Sequence, residues 1–249
     1  MDSVNFRRDI TLLFAARIVR LFAYGFLSVV MVLYLAEIGL KDSEIGLLLS
    51  VTLLGDVAVS FWVTTSADRI GRKIMLIFGA ILMLLAGTVF VLTSNPIALT
   101  IAAIVGIISP TGNEIGPFLS IEQAALSQLA PDEKRTSLFG WYNLAGSFST
   151  ATGALFSGWI AAILQKMSFL PVESYRIILI CYALSGFLLI LFFIGLSKDI
   201  EVAKPSAINQ NTQSKIKYSM GLHSSKKVVI KLSALFALDA FAGGFIVQS

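Results

Sequence analysis

Six apolar stretches, each long enough to cross a bilayer and parted by short charged or turn-forming gaps, constrain this 249-residue chain more than any other feature. They run near 11–36, 45–66, 74–93, 97–129, 137–164 and 174–196; a helix needs about 20 apolar residues to span roughly 30 Å of hydrocarbon. The chain is 56% hydrophobic and 14% charged, far from the roughly 25% charged residues of soluble domains. An aqueous core cannot hide that much apolar side chain, whereas lipid accepts helices that close their backbone hydrogen bonds internally. The expected fold class is therefore all-α, a polytopic membrane bundle of six full spans. Arg7 and Arg8 before an apolar run imitate a signal peptide, but the run is long, contains Arg17 and Arg20 and lacks a small-x-small cleavage site. It reads as a retained span.

The gaps are turn-like: Gly39-Leu40-Lys41-Asp42-Ser43, Ser94-Asn95-Pro96, Pro131 to Arg135 and a stretch around Pro171. Loops this short join adjacent antiparallel helices. Fourteen cations fall on one side (Arg7, Arg8, Arg69, Arg72, Lys73, Lys134, Arg135 and seven lysines from Lys198 to Lys231), against Lys41, Lys166 and Arg176 on the other. Because cations of short loops stay in the cytoplasm, the N-terminus is expected inside, in the plasma membrane. Trp141 and Trp159 stand about 27 Å apart on a helix, one indole for each interface.

After the sixth span, residues 197–231 turn polar and basic, as in a cytoplasmic linker, and apolar character returns at 232–249 as the start of a seventh span. The expected organisation is a six-helix bundle over 1–196, that linker, and the opening of a second half. A complete cavity would need the missing second half or a second copy. Cys181 is the lone cysteine and His223 the lone histidine, in the linker without a metal-ligand partner, so neither disulfide nor metal is expected.

The gap between the second and third apolar stretches reads Asp68-Arg69-Ile70-Gly71-Arg72-Lys73. This D-R-x-G-R-K run, and its place along the chain, resemble the signature between the second and third spans of the major facilitator superfamily. The family's signature opens with Gly four residues before its Asp; Thr64 stands there instead. The resemblance implies twelve spans in two pseudo-symmetric halves, substrate near the midplane, and transport by alternating access. It assigns Asp68, Arg69, Arg72 and Lys73 to conformational gating, with Gly71 as the turn.

Ionisable residues inside spans each cost roughly 2.5–3.5 kcal/mol at a helix centre, and therefore face the interior. Here they are Arg17, Arg20, Asp56, Glu114, Glu122 and, at the end, Asp239. Arg17, Arg20, Tyr24 and Ser28 share one face of the first span; Thr52, Asp56 and Ser60 share one of the second. At 1.5 Å per residue, Arg20 and Asp56 both lie about 18 Å from the cytoplasmic boundary, and Arg17 and Glu122 about 13 Å. Depth alone pairs Arg17 with Glu122 and Arg20 with Asp56 or Glu114, leaving a carboxylate over. A carboxylate uncompensated in a low-dielectric cavity can take up and release a proton as access alternates, so Glu114 or Asp56 is expected to couple protons, with Asp239 a weaker candidate.

The fourth stretch carries Ser109-Pro110-Thr111-Gly112-Asn113-Glu114-Ile115-Gly116-Pro117, a run that should break the helix locally and line a cavity. Ser109, Asn113, Ser120 and Gln123 give it a hydrogen-bonding face. On the fifth, Gly146, Thr150, Gly153 and Ser157 recur every three or four residues, which permits close packing on a neighbour. The Gly-Pro pair that the family's drug–proton antiporters carry on this span is absent, since Ala154 follows Gly153.

Within the family's arrangement the first and fourth spans line the cavity, so Arg17, Arg20, Tyr24, Asn113, Glu114 and Gln123 are the expected cargo or proton contacts, with Asp56, Glu122 and Asp239 beside them. The function expected is proton-coupled secondary transport of a small organic solute; the alternative is a non-transporting scaffold or receptor on the same fold. No phosphate-binding loop and no catalytic constellation is legible, so neither an enzyme, a cofactor nor a nucleic-acid partner is expected. The partners are solute, protons and bilayer.

Overall fold

A computed structural model describes residues 3–106, 108, 116–201 and 230–238. The chain divides into two compact units, Met1–Ala203 and Lys204–Ser249. The first holds α1 (Ser3–Glu37), α2 (Asp42–Ile70), α3 (Arg72–Leu92), α4 (Pro96–Val105), α5 (Pro117–Leu129), α6 (Asp132–Lys166), α7 (Pro171–Ile194) and a 3₁₀ turn at Lys198–Ile200. In the second unit residues 230–238 are helical.

Turn residues start and stop these helices as local chemistry requires. The Asn95 side chain accepts from Ile97 N and Ala98 N at 2.9 and 3.4 Å, with Pro96 in the first turn of α4. Glu44 and Glu173 reach back to the amides of Lys41 and Leu170, capping α2 and α7. Arg135 donates to the carbonyl of Ser127 at 2.8 Å and closes α5.

Five helices among the described residues are long and apolar enough to cross a membrane: α1 from Phe6 onward, α2, α3, α6 and α7. In the fourth apolar stretch α4 ends at Val105, with Gly106 after it, and α5 begins at Pro117 after the extended Gly116; most of the run 109–117 lies outside the described residues.

α1 is the axis of the bundle, with 61% of its apolar window buried against 22% for α6. Leu13, Leu27, Val30, Met31 and Tyr34 are wholly enclosed, and the Tyr34 hydroxyl donates to the carbonyl of Phe90 on α3 at 2.9 Å. α6 lies against α1 through the small residues the sequence points to: a Cβ on Gly153 would strike the Phe22 backbone, and one on Gly25 the backbone of Thr150. Lipid gives no hydrophobic drive to helix association, so this close backbone approach supplies dispersion contact in its place. Large apolar side chains such as Leu54, Phe61, Leu155, Trp159 and Leu184 cover the outside.

Candidate functional site

The first helix turns Arg17 and Arg20 inward. Arg20 is fully buried and grips the equally buried Glu122 of α5 through both terminal nitrogens, Nη1 to Oε1 at 2.6 Å and Nη2 to Oε2 at 2.7 Å. This fork-on-fork geometry makes the strongest kind of ion pair. The Tyr142 hydroxyl of α6 donates to the same carboxylate. The Arg20 guanidinium lies 4.6 Å from the ring centre of Phe118, which stacks on Phe193 and rests against Gly79.

Arg17 occupies the next level on the same face. Its guanidinium stands 4.1 Å over the Tyr142 ring and donates to Asn143 Oδ1 at 3.2 Å. Gly146, one turn further along α6, makes room for it: a Cβ there would sit 2.6 Å from Arg17 Nε. Depth along the helix axis pairs Arg17 with Glu122, and the structure corrects this, because Glu122 belongs to Arg20. Axial depth ignores azimuth, and an arginine side chain easily spans the few ångströms that separate the two levels; the face of α5 decides the partner.

Asp56 of α2 is buried, and neither of its oxygens has a hydrogen-bond partner among the described residues. Thr52, one turn before it, spends its hydroxyl on the carbonyl of Leu48, while the Ser60 hydroxyl, one turn after, is buried without a partner among those residues. Tyr182 of α7 lies within electrostatic reach of both Asp56 and Tyr24, and its hydroxyl is likewise buried without a described partner. Among the described residues Glu122 is thus paired, while Asp56, which depth offers as a partner for Arg20, has none. Gln123 is half-buried. Asn113, Glu114 and Asp239 lie outside the described residues.

At one end of the bundle the Asp68–Lys73 run breaks α2 from α3 at a single residue. Gly71 has φ +123°, a region that favours glycine. Asp68 is 68% exposed and 3.4 Å from Arg72 Nε, and Arg69 is exposed. Thr64, in the place of the signature's glycine, shares a 2.9 Å hydrogen bond with Ser120 of α5. The cations of the run differ in surroundings. Lys73 Nζ donates to the carbonyls of Ile194 and Leu196, both at 2.7 Å, and Arg72 Nη1 to Gln128 Oε1 at 2.9 Å and to the carbonyl of Ile200 at 3.1 Å.

Sequence reasoning missed Tyr142, Asn143, Gln128, Asp9 and Glu201. Tyr142 was legible in principle, since it precedes Gly146 by one helical turn on the small-residue face of α6. Glu201 carried no signal beyond its charge: it sits in the polar stretch after the sixth span, yet residues 197–201 are docked against the bundle, with Ile200 fully buried.

The comparisons with known proteins agree with this architecture. An uncharacterised membrane protein of Saccharomyces cerevisiae is 31% identical over 264 residues, covering 96% of this chain and 58% of that protein. The quinolone resistance protein NorA of Staphylococcus aureus is 23% identical over 145 residues, covering 58% of this chain and 36% of NorA. The crystal structure of a D-xylose–proton symporter superposes with a TM-score of 0.58 at 20% identity, over 76% of this chain and 48% of the symporter. The chain spans about half the length of the curated relatives it matches. The family profile of the Major Facilitator Superfamily matches residues 13–249, and with that match the chain belongs to the Major Facilitator Superfamily as a multi-pass integral membrane protein.

Proposed function

We propose that this chain forms the first half of a secondary active transporter that moves a small organic solute by alternating access, coupled to protons. The observation that carries the reading is the bidentate Arg20–Glu122 pair, fully buried between α1 and α5; a second buried carboxylate, Asp56 of α2, has no hydrogen-bond partner among the described residues. Ionisable groups inside a membrane are expensive and persist where they bind, relay or lock. In this reading a polar solute competes for Arg17, Arg20 and Asn143, with Tyr24 and Gln123 facing the same space, while Asp56 and Glu114 exchange protons and Asp239 belongs to the opposing half. Residues 1–196 supply the helices of the bundle, 197–231 a linker whose first residues, 197–201, dock on it, and 232–249 the opening of a second half; that half, or a second copy, completes the cavity.

The proposed orientation places the Asp68–Lys73 loop and the N-terminus in the cytoplasm, with the protein in the plasma membrane. Relatives named for quinolone resistance and for xylose–proton symport support solute traffic and a proton couple.

The test is flux in proteoliposomes holding the full-length protein and an entrapped pH dye. An imposed pH gradient is expected to drive uptake of one or more members of a panel of small organic solutes. Asp56→Asn, or Glu114→Gln, should abolish the pH-driven component in a protein that still folds. Absence of any solute or proton flux would leave the scaffold or receptor reading in its place.

A further inference from the structure

The amino terminus of α3 has no cap of its own, because Gly71 precedes it and offers no side chain. A helix start leaves amide donors unsatisfied and carries partial positive charge. Glu201, about 130 residues away in the chain, meets both demands: Oε2 accepts from Arg72 N at 2.7 Å and Oε1 from Lys73 N at 3.1 Å. The exchange is reciprocal. α7 ends at Ile194 with carbonyls to satisfy, and Lys73 from that same first turn of α3 donates to Ile194 O and Leu196 O.

Two further contacts hold the same segment. The buried Asp9 of α1 accepts from Ser197 N at 3.0 Å through Oδ1 and from the Ser197 hydroxyl through Oδ2. Gln128 of α5 donates to the carbonyls of Asp199 and Glu201 at 2.9 and 2.8 Å while accepting from Arg72. Residues 194–201 are thereby stitched to α1, α3 and α5 at once.

We infer that Glu201, Lys73 and Arg72 form a strap internal to this half, a positioning unit that holds the α2–α3 turn and the chain leaving α7 as one block. The charges of the signature divide between two tasks. Arg72 and Lys73 are spent on the strap, whereas Asp68 and Arg69 stay exposed and are the ones that meet whatever closes over this end. The gating consequence rests on the proposed alternating-access reading; the strap itself does not.

The experiment is hydrogen exchange by mass spectrometry on the full-length protein, together with proteoliposome flux. Glu201→Ala should speed exchange of the peptides covering 71–76 and 194–200 together, by about fivefold or more, the scale of a lost helix cap. Arg69→Ala should leave both peptides at wild-type rates while lowering flux. Glu201→Gln, which keeps one acceptor oxygen, should fall between wild type and alanine and serves if the alanine variant does not fold. Unchanged exchange in Glu201→Ala, or equal acceleration in Arg69→Ala, would overturn the strap. A wild-type protein that exchanges as described but moves no solute or proton would overturn the transporter reading alone.

Discussion

Arg20 and Glu122 stand 102 residues apart in the chain and meet through two parallel hydrogen bonds in a site with no exposure on either side chain. The pair joins the central helix α1 to α5, the helix that begins at Pro117 in the fourth apolar stretch. Its Glu122 end also receives Tyr142 from α6, so three helices converge on one carboxylate.

Removing one partner of such a pair strands the other charge. Glu122→Leu is expected to cost about 3–5 kcal/mol, seen as a fall in the melting temperature of the detergent-purified protein. The double change Arg20→Met with Glu122→Leu should recover most of that loss, because no unpaired charge is left behind. Flux should stay absent in both variants. A single variant as stable as wild type would contradict the buried pairing.

Tyr142→Phe removes one donor from Glu122 but keeps the ring beneath Arg17. The expected loss is about 1.5–3 kcal/mol, the range for a hydrogen bond to a charged group. Tyr142→Ala should cost more, since the aromatic face goes as well. Thermal melts of the two variants side by side check the order.

Gly146 and Gly153 fail for different reasons when enlarged. A Cβ at Gly146 enters the space of the Arg17 guanidinium, 2.6 Å from Nε, so Gly146→Ala should displace that side chain and depress flux more than stability. At Gly153 the obstacle is the Phe22 backbone, which cannot step aside, and Gly153→Leu should separate α1 from α6 at about 1–3 kcal/mol or more. Equal ratios of flux loss to stability loss in the two variants would refute the distinction.

Gly71→Ala places an L side chain at φ +123° and points its Cβ at the Glu201 carboxylate, 3.2 Å away. The expected strain is about 1–3 kcal/mol. Gly71→Asn should not rescue it, because ψ 134° lies outside the left-handed helical region that Asn tolerates. Circular dichroism melts of both variants in detergent test this.

Much of the architecture was legible because membrane helices are written in composition. Lengths, turns and the inward faces of Arg17, Arg20 and Asp56 follow from the price of charge in lipid, and the small-residue face of α6 follows from its spacing. The expected break over 109–117 lies mostly outside the described residues, which show α4 stopping at Val105 before it and α5 starting at Pro117. The partner of Glu122 was not legible, because axial depth orders residues along a span but says nothing of the face each helix presents.

The sequence by itself determined that this chain lives in lipid, which side chains must look inward, and, through Asp68–Lys73, which family it resembles. These are one-dimensional properties: each depends on residue type and on spacing along one helix. Tertiary structure alone decided that Arg20 rather than Arg17 holds Glu122, that Tyr142 joins them, and that Glu201 caps α3 while Lys73 caps α7. Each of those depends on azimuth and on contacts between residues far apart in the chain, and short-range polar forces select among candidates only after packing has set the distances.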